Sequence, residues 1–222
     1  MTDVALARLA GRRHLHVGPV DVHSYKVALY VGCVAGVYAG SAMAATRGLD
    51  PSRFAFTTIG LLVPALVGAR LWYVARHAGF LRAEPTRLFR RADGGAGLFG
   101  GLVVGVLVSI PVLAVVGMSF WAFWDGAVVT MLVGLACTRV GCLMNGCCGG
   151  RPTNSRLALR LPGIDGTWAR RYPTQLLEAA MAVLLLLVAA AVHGVAPTGT
   201  IFAGVVACYC VARAALQPLR AA

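Results

Sequence analysis

The stretch SFWAFWDGAVVTMLVGLACTRVGCLMNGCCGGRPT, residues 119–153, decides how this chain is read. Residues 119–143 are long and apolar enough to cross the roughly 30 Å hydrocarbon layer of a bilayer as one helix. The end of the stretch is different in kind. Arg139, Asn145, three cysteines and several closely spaced glycines crowd together there. Such polar and ionisable groups are costly at the edge of a bilayer unless they face a polar cavity or a partner. The stretch therefore reads as a spanning helix that runs into a binding site.

The rest of the chain agrees. It is 59% hydrophobic and 13% charged with a mean hydropathy of +0.76, which places it among integral membrane proteins. Six apolar segments are expected near 25–46, 54–78, 95–117, 119–143, 174–193 and 199–219. Each boundary carries a breaker: TRGLDPSR after the first, RAEPTRLFRRADGG after the second, Gly117 after the third. Pro173 precedes the fifth, and HGVAPTG follows it. The expected fold is all-α and polytopic: a polar N-terminal arm, 1–23, before one transmembrane domain, 24–222. The arm contains no apolar signal-peptide core, so targeting is expected to fall to the first span.

The formal charge is +12, almost all of it from arginine, since Lys26 is the only lysine. These arginines sit between long apolar runs rather than on an extended solvated face. That excludes nucleic acid as a partner and favours anionic lipid headgroups. With six spans both termini share one side. That side takes Arg8, Arg12, Arg13, Arg76, Arg82, Arg87, Arg90, Arg91, Arg151, Arg156, Arg160, Arg170, Arg171 and Arg220, against Arg47 and Arg53 opposite. The positive-inside rule places the basic side, with the cysteine-rich loop, in the cytoplasm.

Arg70, Asp125, Arg139, Glu178 and Arg213 fall within or beside apolar segments. Each has two readings, structural ion pairing or ligand duty. Asp125 and Arg139 stand about four turns apart on one helix and cannot pair with each other, so each needs another partner. An arginine fork matches phosphate oxygens, and the glycines let a backbone fold back and present N–H groups. That combination suits a phospholipid headgroup. Cys142, Cys147 and Cys148 are close in sequence, but no second CxxC or His–x–His completes four ligands, so no metal site is expected. Small-residue packing and redox thiols stay open for them. His77 and His193 read as helix-end groups, and His23 stands at the entrance to the first span.

VHSY (22–25), GARLWYV (68–74), GAGLFGGL (95–102), RVGCLMNGC followed by GRPT, and RRYPTQLLE (170–178) occur in this order. Together they resemble the prolipoprotein diacylglyceryl transferases. The resemblance implies a transferase of the bacterial plasma membrane, with no cofactor, that moves diacylglyceryl from phosphatidylglycerol to a lipobox cysteine. It implies that Arg139 and Arg220 hold the phosphate. Tyr25, Asn145, Gly150 and Gln175 would line the headgroup pocket, supported by Glu178 and Arg151, and Gly100 and Gly101 join the substrate-binding set. The chain also departs from that pattern. Phe99 stands where the family has a histidine, Cys142 replaces an asparagine, and Cys147 and Gln217 replace acids. Cys142 and Cys147 are therefore counted with Arg139, Arg220 and Glu178 as catalytic candidates. The family's last span is expected to be missing. The family's pocket faces outward, opposite to what the arginine count expects. Two alternatives are a relative with a different lipid or small-molecule acceptor, and a non-catalytic lipid-binding protein.

Overall fold

A computed structural model describes residues 10–17, 20–77, 98–163 and 166–220. Arg8, Arg82, Arg87, Arg90, Arg91 and the Gly95–Gly97 part of GAGLFGGL lie outside the described residues. Among the described residues, six helices are long and apolar enough to cross a membrane, as the hydropathy pattern requires. They are α1 (Ser24–Thr46), α2 (Pro51–Arg76), α3 (Leu98–Val116), α4 (Phe120–Asn145), α5 (Thr174–Val192) and α6 (Thr200–Leu216). A 3-10 turn, Gln217–Leu219, extends α6. At 1.5 Å per residue, the 23 residues of α1 span about 35 Å, enough for the hydrocarbon layer. Large apolar side chains point outward along these helices, among them Tyr38, Phe56, Leu66, Leu187 and Val211. An aqueous solvent would penalise such a surface, whereas lipid accepts it.

The helix ends follow from local chemistry. Asp50 caps α2: its Oδ1 accepts from the Arg53 N–H at 2.7 Å and from the Ser52 hydroxyl at 2.8 Å, with Pro51 at the first helical position. His77 and His193 bond through Nδ1 to the carbonyls of Tyr73 and Ala190 at the ends of α2 and α5. Among the described residues, two short antiparallel hairpins lie outside the spans. The first pairs β1 (His14–Val17) with β2 (Val20–His23), and the second pairs β3 (Leu159–Pro162) with β4 (Trp168–Arg171). Four-residue strands fall below what hydropathy periodicity detects, so the sequence showed these stretches only as polar arm and loop.

The residues group into two compact units, Met1–Met43 with Trp124–Ala222, and Ala44–Phe123. In the second unit α2 and α3 pack through glycine. A Cβ on Gly100 would collide with Trp72 and lie 2.6 Å from the Gly68 carbonyl oxygen, and one on Gly101 would lie 2.9 Å from the Ala65 carbonyl oxygen. Small residues let helix backbones approach closely where lipid supplies no hydrophobic drive.

In the first unit α1 lies equally close to α4. A Cβ on Gly36 would sit 2.7 Å from the Thr130 carbonyl oxygen, and one on Gly32 would sit 2.8 Å from the Cys137 Cβ. Val128 and Leu132 of α4, Ala182 and Ala189 of α5, and Ile201 and Val205 of α6 form a buried core. Asp125, fully buried, binds that core's last helix: Oδ2 accepts from the Gly199 N–H at 2.8 Å and Oδ1 from the Phe202 N–H at 2.9 Å. It thus satisfies backbone donors that open the first turn of α6. Asp125 takes the structural reading of its two.

Candidate active site

The site is assembled inside the first unit from α4, the glycine loop, α5 and the C-terminal turn. Its centre is Glu178, 1% exposed on α5. Three arginines converge on this carboxylate. Arg220 Nη1 donates to Oε1 at 2.7 Å, and Arg213 Nη1 to the same oxygen at 3.3 Å. Arg139 Nε reaches Oε2 at 2.6 Å as an ion pair, with its N–H misaligned for a hydrogen bond. Three guanidinium charges against one carboxylate leave two positive charges uncompensated. Each arginine keeps further N–H donors beyond those used on Glu178.

Local folding explains why Arg220 arrives there. Gly150 and Arg220 form an isolated antiparallel bridge, with Arg151 N donating to the Leu219 carbonyl at 3.0 Å and Gly150 N to the Tyr172 carbonyl at 3.0 Å. A Cβ on Gly150 would stand 2.6 Å from the Tyr172 carbonyl oxygen and 2.7 Å from that of Leu219. Only glycine permits this approach. Gly150 therefore acts on the site by letting the loop hold the C-terminal turn. Arg151 is exposed, its guanidinium 6.0 Å from the centroid of the Tyr172 ring.

The end of α4 places the cysteines. Gly146, at φ 71°, closes the helix: its N–H bonds to the Leu143 carbonyl at 3.2 Å, and the Cys147 N–H bonds to the Cys142 carbonyl at 3.1 Å. This pair of bonds is the Schellman pattern, which reverses the chain over the last helical turn. Residues 147 and 148 are thereby carried back beside residue 142. Thr174 Oγ1 and Gln175 Nε2, opening α5, hold the Cys148 and Cys147 carbonyls at 2.9 and 2.8 Å. The three Sγ atoms lie within 4.8 Å of one another, and Cys142 Sγ is 4.0 Å from Arg139 Nη1. Asn145 hydrogen-bonds the Cys147 thiol. Hydrogen bonds from Cys142 and Cys147, then the charges of Arg139 and Arg220, hold the Cys148 thiol well below its ordinary value.

Arg139, Arg220, Glu178, Cys142, Cys147, Asn145, Gly150 and Gln175 thus come together in this unit. Tyr25, opening α1, packs where Gly141 leaves room: a Cβ on Gly141 would lie 3.5 Å from Tyr25 Cδ2. Gly100 and Gly101 belong to the other unit, where they pack α2 against α3. Phe99 is half-exposed at the start of α3. Three members were absent from the sequence-based site set. Arg213 was noticed as an intramembrane charge and Cys148 as a spare thiol. Tyr209 was missed, although it stands four residues before Arg213 on α6 and so shares its face. Tyr209 Oη and Gln175 Oε1 are buried without a hydrogen-bond partner among the described residues. Buried polar atoms are normally satisfied, so these two are open to a ligand.

Comparison with known proteins adds an independent finding. The family model for prolipoprotein diacylglyceryl transferase matches residues 12–222. Similar curated proteins carry the name phosphatidylglycerol–prolipoprotein diacylglyceryl transferase. One, from Bacillus licheniformis, is 31% identical over 129 residues, covering 58% of this chain and 48% of that protein. One from Tropheryma whipplei is 27% identical over 215 residues, covering 92% of this chain and 79% of that protein. One from Halalkalibacterium halodurans is 30% identical over 190 residues, covering 79% and 65%. The matched part is thus about half of the first relative's length and about four-fifths of the second's.

Proposed function

The chain belongs to the prolipoprotein diacylglyceryl transferase family, and on that premise we propose that it transfers diacylglycerol from phosphatidylglycerol to a cysteine thiol of a prolipoprotein in a bacterial plasma membrane. The carrying observation is Glu178 with three arginines on it, leaving two positive charges in a largely buried place. The phosphodiester of phosphatidylglycerol carries one negative charge. In the transfer the acceptor sulfur bonds the glyceryl carbon and that carbon's bond to the phosphate oxygen breaks. Glycerol phosphate departs as a monoester that can carry two negative charges. The charge excess matches the departing group better than the intact donor, so stabilisation grows along the reaction, as catalysis requires.

Arg139 and Arg220 are the proposed phosphate clamp, oriented by Glu178. Gln175 Oε1 and Tyr209 Oη are suited to the glycerol hydroxyls, with Tyr25 and Asn145 nearby and Arg151 at the exposed rim. For the proton of the acceptor thiol, Cys142 and Cys147 stand in for the histidine that the family pattern puts at Phe99. Of the trio, Cys148 is the thiol held toward thiolate, by hydrogen bonds from Cys142 and Cys147 and by the charges of Arg139 and Arg220.

A second reading keeps the donor and changes the acceptor. The arginine asymmetry favours it, because it places the basic side in the cytoplasm, away from exported prolipoproteins.

The test is mass spectrometry of headgroup-labelled phosphatidylglycerol incubated with the purified protein and a lipobox peptide. Labelled glycerol phosphate together with diacylglyceryl-peptide supports transfer to the lipobox. Glycerol phosphate without modified peptide supports the second reading. Donor returned intact overturns both.

A further inference from the structure

Three thiols meet at the reversed end of α4, more than the removal of one proton in the proposed transfer calls for. Their Sγ atoms lie within 4.8 Å of one another. Metal–thiolate bonds of about 2.3 Å in a trigonal plane would separate the sulfurs by roughly 4.0 Å, so closure needs a shift of a few tenths of an ångström. Cys148 carries a further sign. Among the described residues it is the non-glycine residue with left-handed backbone, φ 59°. Glycine would occupy that position at the least cost, and glycines flank the cysteine pair at 146 and 149. A cysteine held there brings a third sulfur to the other two. The backbone is secured by hydrogen bonds that leave the thiols unused: Thr174 and Gln175 take the carbonyls of Cys148 and Cys147, and the Cys147 N–H goes to Cys142.

The geometry points to a three-coordinate site for a soft monovalent metal ion of the copper(I) class, made by Cys142, Cys147 and Cys148. Thiolate sulfur selects soft ions. Zinc prefers four ligands, and no further histidine, cysteine or carboxylate joins this trio among the described residues. Charge decides the same way. With no donor bound, three thiolates and a monovalent ion carry two negative charges, equal to the positive excess left by Arg139, Arg213 and Arg220 around Glu178. A divalent ion would leave the match one charge short. Binding exchanges three S–H bonds for three S–metal bonds, releases three protons to solvent and leaves the ion's oxidation state unchanged.

Its test needs neither donor nor acceptor, so its outcome is distinguishable from that of the transfer assay. The reduced full-length protein in detergent is titrated anaerobically with copper(I) against a chromophoric copper(I) chelator. The expected result is one ion held per chain. C142S, C147S and C148S should each weaken binding at least tenfold, and the quadruple variant C33S/C137S/C208S/C210S should leave it unchanged. The wild-type protein supplies a check that no folding defect can mimic. With copper(I) bound, Cys147 and the exposed Cys148 should resist alkylation that reaches them in the metal-free protein. Complete removal of the ion by the chelator, loss of binding in the quadruple variant, or tighter binding of zinc(II) than of copper(I) would overturn the assignment.

Discussion

Glycine does opposite work in the α2–α3 seam and in the loop after α4. In the α2–α3 seam Gly68, Gly100 and Gly101 are small so that apolar helices can touch, and every atom they meet belongs to the partner helix. In the loop after α4, Gly146 and Gly150 bend or admit backbone, and the result is a cluster of charge and thiols. A single residue type therefore supports packing in one place and chemistry in the other. The distinction is what its missing Cβ makes room for.

The sharpest way to break that contrast is to remove the charge at the centre. Glu178→Ala leaves three guanidiniums without their shared carboxylate, and removing one partner of such a buried set costs about 3–5 kcal/mol. The expected outcome is a large loss of folded protein by size-exclusion chromatography and of transfer by at least a thousandfold. Arg139→Lys, which keeps the charge but loses the fork, should fold and lose roughly a hundredfold in kcat, the scale of one transition-state donor.

Two glycine variants sharpen the contrast directly. Gly150→Ala should push Leu219 and Arg220 away, lowering transfer by about tenfold or more, on the scale of a small misplacement of catalytic groups. Its thermal midpoint should fall less than that of Gly100→Ala, whose new methyl meets Trp72 and the Gly68 carbonyl. Gly100→Ala with an unchanged midpoint and lost transfer would instead make Gly100 a donor-lining residue.

Asp125→Asn comes next. It replaces a carboxylate that takes two backbone N–H groups of α6 with an amide that can accept through one oxygen. The loss is about 1–2 kcal/mol. Differential scanning should show a midpoint lower by a few degrees with transfer per folded molecule unchanged. The smallest effect belongs to Asp50. The Arg53 backbone N–H, then the Ser52 hydroxyl, hold its carboxyl below the usual carboxylate range. A depressed folded value means its stabilisation is present above the unfolded pKa and is lost as pH falls through the lowered value. Asp50→Ala should therefore reduce the midpoint slightly at neutral pH and flatten its decline in acid.

Much of this was legible from residues alone because partition into lipid is a local sum. The six spans emerged from windows of hydropathy, and their ends from Gly117, Pro173 and Asp50-Pro51, each acting through its own backbone or side chain. Arg139 and Glu178 were visible as groups that could not stand alone in a bilayer. The hairpins were not visible, since their strands are too short to build a period. Tyr209 was passed over because a tyrosine in an apolar helix looks ordinary until its hydroxyl is found buried with no hydrogen-bond partner among the described residues.

The sequence by itself determined a six-span helical membrane protein with intramembrane charges in need of partners. Only the tertiary structure decided which partners they found. Glu178 meets Arg213 and Arg220 across 35 and 42 residues, and Asp125 meets Gly199 across 74. Hydropathy is additive along the chain, whereas those meetings depend on the rotation and height of helices far apart in sequence. The cysteine trio stands between the two cases. Its spacing was plain in GCLMNGCC, yet whether three sulfurs diverge or converge rests on the left-handed turns at Gly146 and Cys148, which a string of letters does not display.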